Sequence, residues 1–158
     1  MDDVVVARAL HVLAVIHWIG GLTFVTLIVL PLAASRASGQ EAISLFESVE
    51  RRFAAQVRFS IPLAGASGFW MTYRLDLWPR FLDPDYWWMA AMLGLWLIFM
   101  LALFVIEPLA QASFEEKARR EPKAVLRRMS RLHQILLALA TLTAFGAVAG
   151  AHGFFFFP

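Results

Sequence analysis

The chain has 158 residues, 60% of them hydrophobic and only 16% charged, with a formal net charge of +2. That balance is too apolar for an ordinary soluble domain of this length, and the small basic excess is explained by two short segments rather than by a nucleic-acid surface. Cysteine is absent, which excludes disulfides, thiolate metal sites and covalently attached c-type haem.

A membrane-crossing helix needs about 20 mostly apolar residues, because the hydrocarbon core is about 30 Å thick and each residue rises about 1.5 Å. Four segments meet this requirement, so the chain is expected to be one all-α domain over 1–158, an integral membrane four-helix bundle. The first predicted span is about 4–32 and closes at Pro31. It opens on Asp2 and Asp3 instead of a basic region and is far longer than a signal sequence requires, so it is expected to be retained.

Between the first and second spans, residues 40–52 alternate Ile43, Leu45, Phe46 and Val49 with Glu41, Glu47 and Glu50, the pattern of a short amphipathic helix lying on a membrane surface. The second span, about 53–73, holds Pro62, which predicts a kink. The third, about 86–107, is expected to stop at Pro108, and the fourth covers about 132–157.

Orientation follows from Lys and Arg, which stay in the cytoplasm. Arg36, Arg51, Arg52 and Arg58 lie at the first connection. Lys117, Arg119, Arg120, Lys123, Arg127, Arg128 and Arg131 lie at the third, whereas only Arg8, Arg74 and Arg80 fall on the opposite side. Both termini are therefore predicted outside the cytoplasm, with Trp78, Trp87, Trp88 and Phe154 to Phe157 as the outer aromatic belt.

Imidazoles are costly in hydrocarbon and ask for a partner or a role. In an up-down bundle the first and fourth helices are antiparallel, so His11 and His152 come to matched depths of about 10 and 8 Å below the outer face when counted from the span ends. Two neutral imidazoles at one level suit the two faces of a haem iron, with Arg8 one turn from His11 as partner for a propionate. The bland alternative is that each only hydrogen-bonds a neighbouring helix. His17 lies six residues beyond His11, about 120° around the helix, and is expected to be a buried hydrogen-bonding residue or a substitute ligand. His133 is expected to be solvated or paired with Glu107, with a quinone contact or second metal site as its functional alternative.

Gly20, Gly21, Gly146, Gly150 and Gly153 either leave room for a flat macrocycle or allow close helix packing, for which the Gly146 to Gly150 spacing is the better match. Met71, Met89, Met92 and Met100 are scattered along the second and third spans. Only Met89 and Met92, one turn apart, form a pair that would suit copper(I), and core packing is the simpler reading.

The stretch His11-Val-Leu-Ala-Val-Ile-His17-Trp18-Ile-Gly20-Gly21-Leu22 resembles the first-helix pattern shared by copper-resistance protein D and the four-helix, haem-containing protoporphyrinogen oxidases. In that pattern a His is followed seven residues later by Trp and then by Gly and Leu, here Trp18, Gly21 and Leu22. The resemblance implies a b-type haem ligated by His11. The oxidase branch carries a Lys early in its third helix, where this chain reads Trp87-Trp88-Met89-Ala90-Ala91-Met92, so haem binding is implied without protoporphyrinogen oxidation. The copper branch implies metal import across the inner membrane.

No acid, base or nucleophile constellation stands out, and no catalytic residue is assigned. The expected function is that of a b-type cytochrome of a bacterial-type inner membrane, passing electrons between a donor such as quinone and an outer-face redox protein, with a homo-oligomer as one arrangement. The alternatives are a copper transport or resistance protein and a non-catalytic subunit of a respiratory complex.

Overall fold

An apolar run satisfies its backbone donors and acceptors internally by coiling, and the computed structural model, which describes residues 1–154, is all-α over those residues. Four long rods follow one another: α1, Asp2–Ala34; α2, Gly39–Arg74; α3, Pro84–Arg120; and α4, Pro122–Ala151. A 3-10 turn at Trp78–Phe81 joins α2 to α3, and a single residue, Glu121, joins α3 to α4. The starts are chemically marked. Asp2 and Asp3 face the positive end of the α1 dipole, Ser38 Oγ accepts the Glu41 N–H at 3.1 Å to cap α2, and Pro122 occupies the first turn of α4.

Neither Pro31 nor Pro108 ends its helix, contrary to the expectation from sequence. Each is preceded by a widened π turn, at Val25–Val29 and Ala102–Ile106. The donors that close these turns are the residues just before the prolines: Leu30 N–H reaches the Val25 carbonyl and Glu107 N–H the Ala102 carbonyl. The wider turn absorbs the missing donor and the ring, and the rod continues. Pro62 likewise lies within uninterrupted helix.

Three rods, α1, α3 and α4, are long and apolar enough to cross a membrane, whereas four spans were expected. The exception is α2. Its first half is charged and ends on Gln56, and its second carries Arg58, Ser60, Ser67 and Thr72. Ser60, Ser67 and Thr72 are buried among the other helices, so these hydroxyls are directed inward, while Gln56 and Arg58 are exposed.

The helices run up and down, so the start of α1, the α2–α3 link and the end of α4 share one end of the bundle, here the terminal end, and the other two connections share the basic end. Contacts are densest within the pairs α1/α2 and α3/α4. At the basic end all four helices close on a core of Val25, Leu30, Ala33, Ala42, Ile43, Phe46, Ala118 and Leu126.

That core corrects two expectations. Residues 40–52 are the first turns of α2 and not a separate surface helix, and Ile43 and Phe46 face the bundle interior. The third connection is not a loop. Its basic residues sit on the exposed faces of α3 and α4, while Phe114, Val125 and Met129 pack onto the core. Of the expected aromatic belt, Trp78 and Phe154 are exposed and Trp88 is buried, while residues 155–157, and with them the last part of the predicted fourth span, lie outside the described residues.

Candidate functional site

Between the two helix pairs, toward the terminal end, the bundle encloses a cavity of about 750 Å³. Each helix contributes one face at helical spacing: Arg8, His11, Val15 and Trp18 from α1; Gly65, Gly68 and Thr72 from α2; Met89, Met92 and Trp96 from α3; Ala140, Thr143, Ala144, Ala147, Gly150 and Ala151 from α4. The α2–α3 link adds Arg80 and Phe81 at the mouth. Its size is that of a pocket for a cofactor-sized ligand, and no carboxylate is among its lining residues.

His11 is held by α2. Its Nδ1–H donates to the Ala64 carbonyl at 2.8 Å, with the Ser67 hydroxyl oxygen a further partner at 3.3 Å. Gly68 makes this possible, since a Cβ there would stand 3.2 Å from the imidazole. A carbonyl on Nδ1 fixes the proton at that nitrogen and leaves Nε2, at the far edge of the ring, with a free lone pair. The same backbone bond positions many metal-ligating histidines.

Two further polar groups in the lining lack partners. Thr23, Thr26 and Thr72 each donate to the carbonyl four residues earlier, but Thr143, 6% exposed and part of the cavity wall, has no hydrogen bond among the described residues. Trp18 Nε1 is buried without an acceptor, its ring set edge-on against Phe99 at 4.8 Å below the cavity. At the mouth Arg8 is exposed and Arg80 lies over the Tyr86 ring at 4.4 Å. Asp3, the nearest carboxylate on α1, is engaged elsewhere, accepting from Trp70 Nε1 and from Arg74.

Of the residues singled out from sequence, the cavity gathers Arg8, His11 and Trp18, with Met71, Met89, Met92, Gly150 and Gly153, and does not gather His152, His17 or Gly21. His152 follows the last residue of α4, exposed, with Nδ1 turned back to the Val148 carbonyl at 2.8 Å. Ala151 and Gly153, on either side of it, line the cavity, but the His152 side chain does not, its ring being turned back along α4. The Trp87 and Trp88 rings of α3 seat on Gly146 and Gly150.

His17 hydrogen-bonds across to α2 at both nitrogens, to Ser60 Oγ at 3.1 Å and Gln56 Oε1 at 3.2 Å, and is exposed rather than buried. Gly21 receives the Phe53 ring. His133 pairs with its own helix, Nδ1 to the Met129 carbonyl at 3.0 Å, and lies edge-on to Phe46, while Glu107 takes Arg58 at 2.8 Å. Gly146 and Gly150 receive the indoles of Trp87 and Trp88, and Gly150 also lines the cavity. Arg80 and Thr143 escaped the sequence reading: one is distant in the chain and the other unremarkable in type, and only the register of α4 marks it.

At the basic end, Glu50 lies near Glu47 and Glu107. Burial, and then these two carboxylates, push its own carboxyl up to about 7. Among the described residues no three His, Asp or Glu side chains gather to hold a metal ion. Comparison with models of known protein families, with curated proteins and with solved structures gives no match to this chain.

Proposed function

We propose that this is a four-span membrane protein of the inner or plasma membrane, with both termini on the outer face, that holds a b-type haem in the terminal-end cavity and passes electrons between a membrane donor such as quinone and an outer-face partner. The observation that carries the reading is His11, fixed through Nδ1 to the Ala64 carbonyl with Nε2 unshared at a cavity wall. The donor set fits the group. Apolar and aromatic walls suit a flat macrocycle, and Arg8 and Arg80 at a mouth free of lining carboxylates suit two propionates. The resemblance of His11 to Leu22 to the haem-containing family supports the same assignment.

When bound, the haem would supply reversible one-electron chemistry. The chain's part is to orient the His11 ring, to raise its basicity through the Ala64 carbonyl, and to close the floor with Trp18. The two-imidazole arrangement with His152 loses its support, because that ring stands off the cavity face. Four crossings are supported by α2 directing its serines inward and pairing Arg58 with Glu107 of α3; the orientation is supported by the clustered Lys and Arg of the basic end.

A second reading, copper(I) handling, is favoured by Met71, Met89 and Met92 lining the same cavity as His11. Two arginines at the mouth oppose entry of a cation, so haem is preferred. Absorption spectra of detergent-purified protein, oxidised and dithionite-reduced, separate the two. A Soret band with a b-type α band is expected, lost in His11→Ala and kept in His152→Ala and His133→Ala. Colourless protein, or a His11→Ala spectrum like that of the wild type, overturns the reading.

A further inference from the structure

We infer that the Met92 thioether is the axial ligand opposite His11. The inference rests on the haem reading above and on one contact below the cavity. Helices α1 and α3 run parallel, and Trp18 of α1 meets Phe99 of α3 with ring centroids 4.8 Å apart. His11 precedes Trp18 by seven residues and Met92 precedes Phe99 by seven. Seven residues are two helical turns to within about 20°, so each repeats the direction of the ring beneath it. Where the lower pair touches, the upper pair faces across the cavity at one level, about 10 Å nearer the terminal end.

Both side chains line that cavity. They come from different helix pairs, so a flat group entering between the pairs has an imidazole on one side and a thioether on the other. Met89 is one turn nearer the mouth and off that level. Histidine with methionine is an established axial set, and it raises the reduction potential relative to two imidazoles.

The test uses the purified holoprotein and two substitutions at position 92. Wild-type protein is expected to be low-spin, to show the near-infrared charge-transfer band of a methionine-ligated ferric haem, and to exclude carbon monoxide when reduced. Met92→Leu should retain haem on His11, lose that band, turn high-spin and bind carbon monoxide. Met89→Leu should do none of these. If Met92→Leu sheds its haem, Met92→His decides, and a low-spin two-imidazole spectrum is the expected result.

Wild-type haem that binds carbon monoxide freely, a low-spin Met92→Leu, or a Met92→His without the second imidazole overturns the inference while leaving the haem reading intact. Wild-type protein without haem overturns the haem reading, and the inference falls with it.

Discussion

At the basic end the helices meet through small side chains: Ala33, Ala42 and Ala118 let the backbones approach, and Phe46, 0% exposed, fills what remains. At the terminal end the same helices carry indoles. Glycines take the rings, Gly65 under Trp96, Gly146 under Trp87 and Gly150 under Trp88, and Trp96 Nε1 also donates to the Ile61 carbonyl at 2.9 Å. Trp96 spaces the two helix pairs, Trp87 and Trp88 space α3 from α4, and a cavity is left among them. Small residues thus do opposite things in one bundle. With another small residue opposite, they close it; with an indole opposite, they hold it open.

The sharpest way to break this contrast is at the solid end. Phe46→Ala should cost about 3–5 kcal/mol in thermal or denaturant unfolding in detergent, because the enclosed ring leaves a void that neighbours cannot fill. On the proposed haem reading, the absorption band positions should not move. A loss below 1 kcal/mol would show that the basic end is not the packed anchor.

Next in size, Gly150→Ala should destabilise by about 1–3 kcal/mol, since its methyl would occupy the place of the Trp88 ring. Gly20→Ala and Gly94→Ala, with nothing within 4 Å of the added carbon, should gain up to about 1 kcal/mol from helix propensity alone. Equal melting shifts in all three would mean that the indoles are not seated on their glycines.

Glu50 gives a pH signature confined to the basic end. Its carboxyl is raised to about 7 from a usual 4.5, so between those values the fold holds a proton that the unfolded chain releases. Stability therefore falls as pH rises through this window, and the penalty is complete above it. Glu50→Gln should raise the melting temperature at pH 8 by about 2–4 °C, the shift that about 1 kcal/mol makes in a chain of this size, and change it little below pH 4.5. An equal gain at both pH values would locate the effect elsewhere. The smallest effect is expected at the Arg58–Glu107 pair, where both side chains are more than 40% exposed: Arg58→Ala should cost less than about 1 kcal/mol in the same melts.

The four helices were legible because long apolar runs have few other ways to satisfy their backbones. Their ends were not. Pro31 and Pro108 read as stops since a proline breaks an ideal helix, and nothing local announces that a π turn upstream absorbs it. The charged stretch around Lys117 to Arg131 read as a loop, although Phe114, Ala118, Val125, Leu126 and Met129 on the same segment are turned to the core. At the site, His11, Arg8 and Trp18 were found because His and Arg are conspicuous in an apolar run. The Ala64 carbonyl, a backbone acceptor 53 residues away, carries no sequence signal at all. His152 was paired with His11 by depth alone, and depth does not say which way a side chain at the end of α4 turns.

The π turn at Val25–Val29 lies between the two ends of α1 and sets their mutual phase. A widened turn spends one residue more on each revolution than an α turn does. With the basic end anchored by Leu30 and Ala33, rewinding the same residues as ordinary α-helix would swing everything upstream by about 100°, carrying the imidazole of residue 11 away from its carbonyl, whereas deleting one residue from the turn would leave that phase unchanged. The chain thus has a molecular protractor: one surplus residue aims a side chain some 20 Å away along the rod.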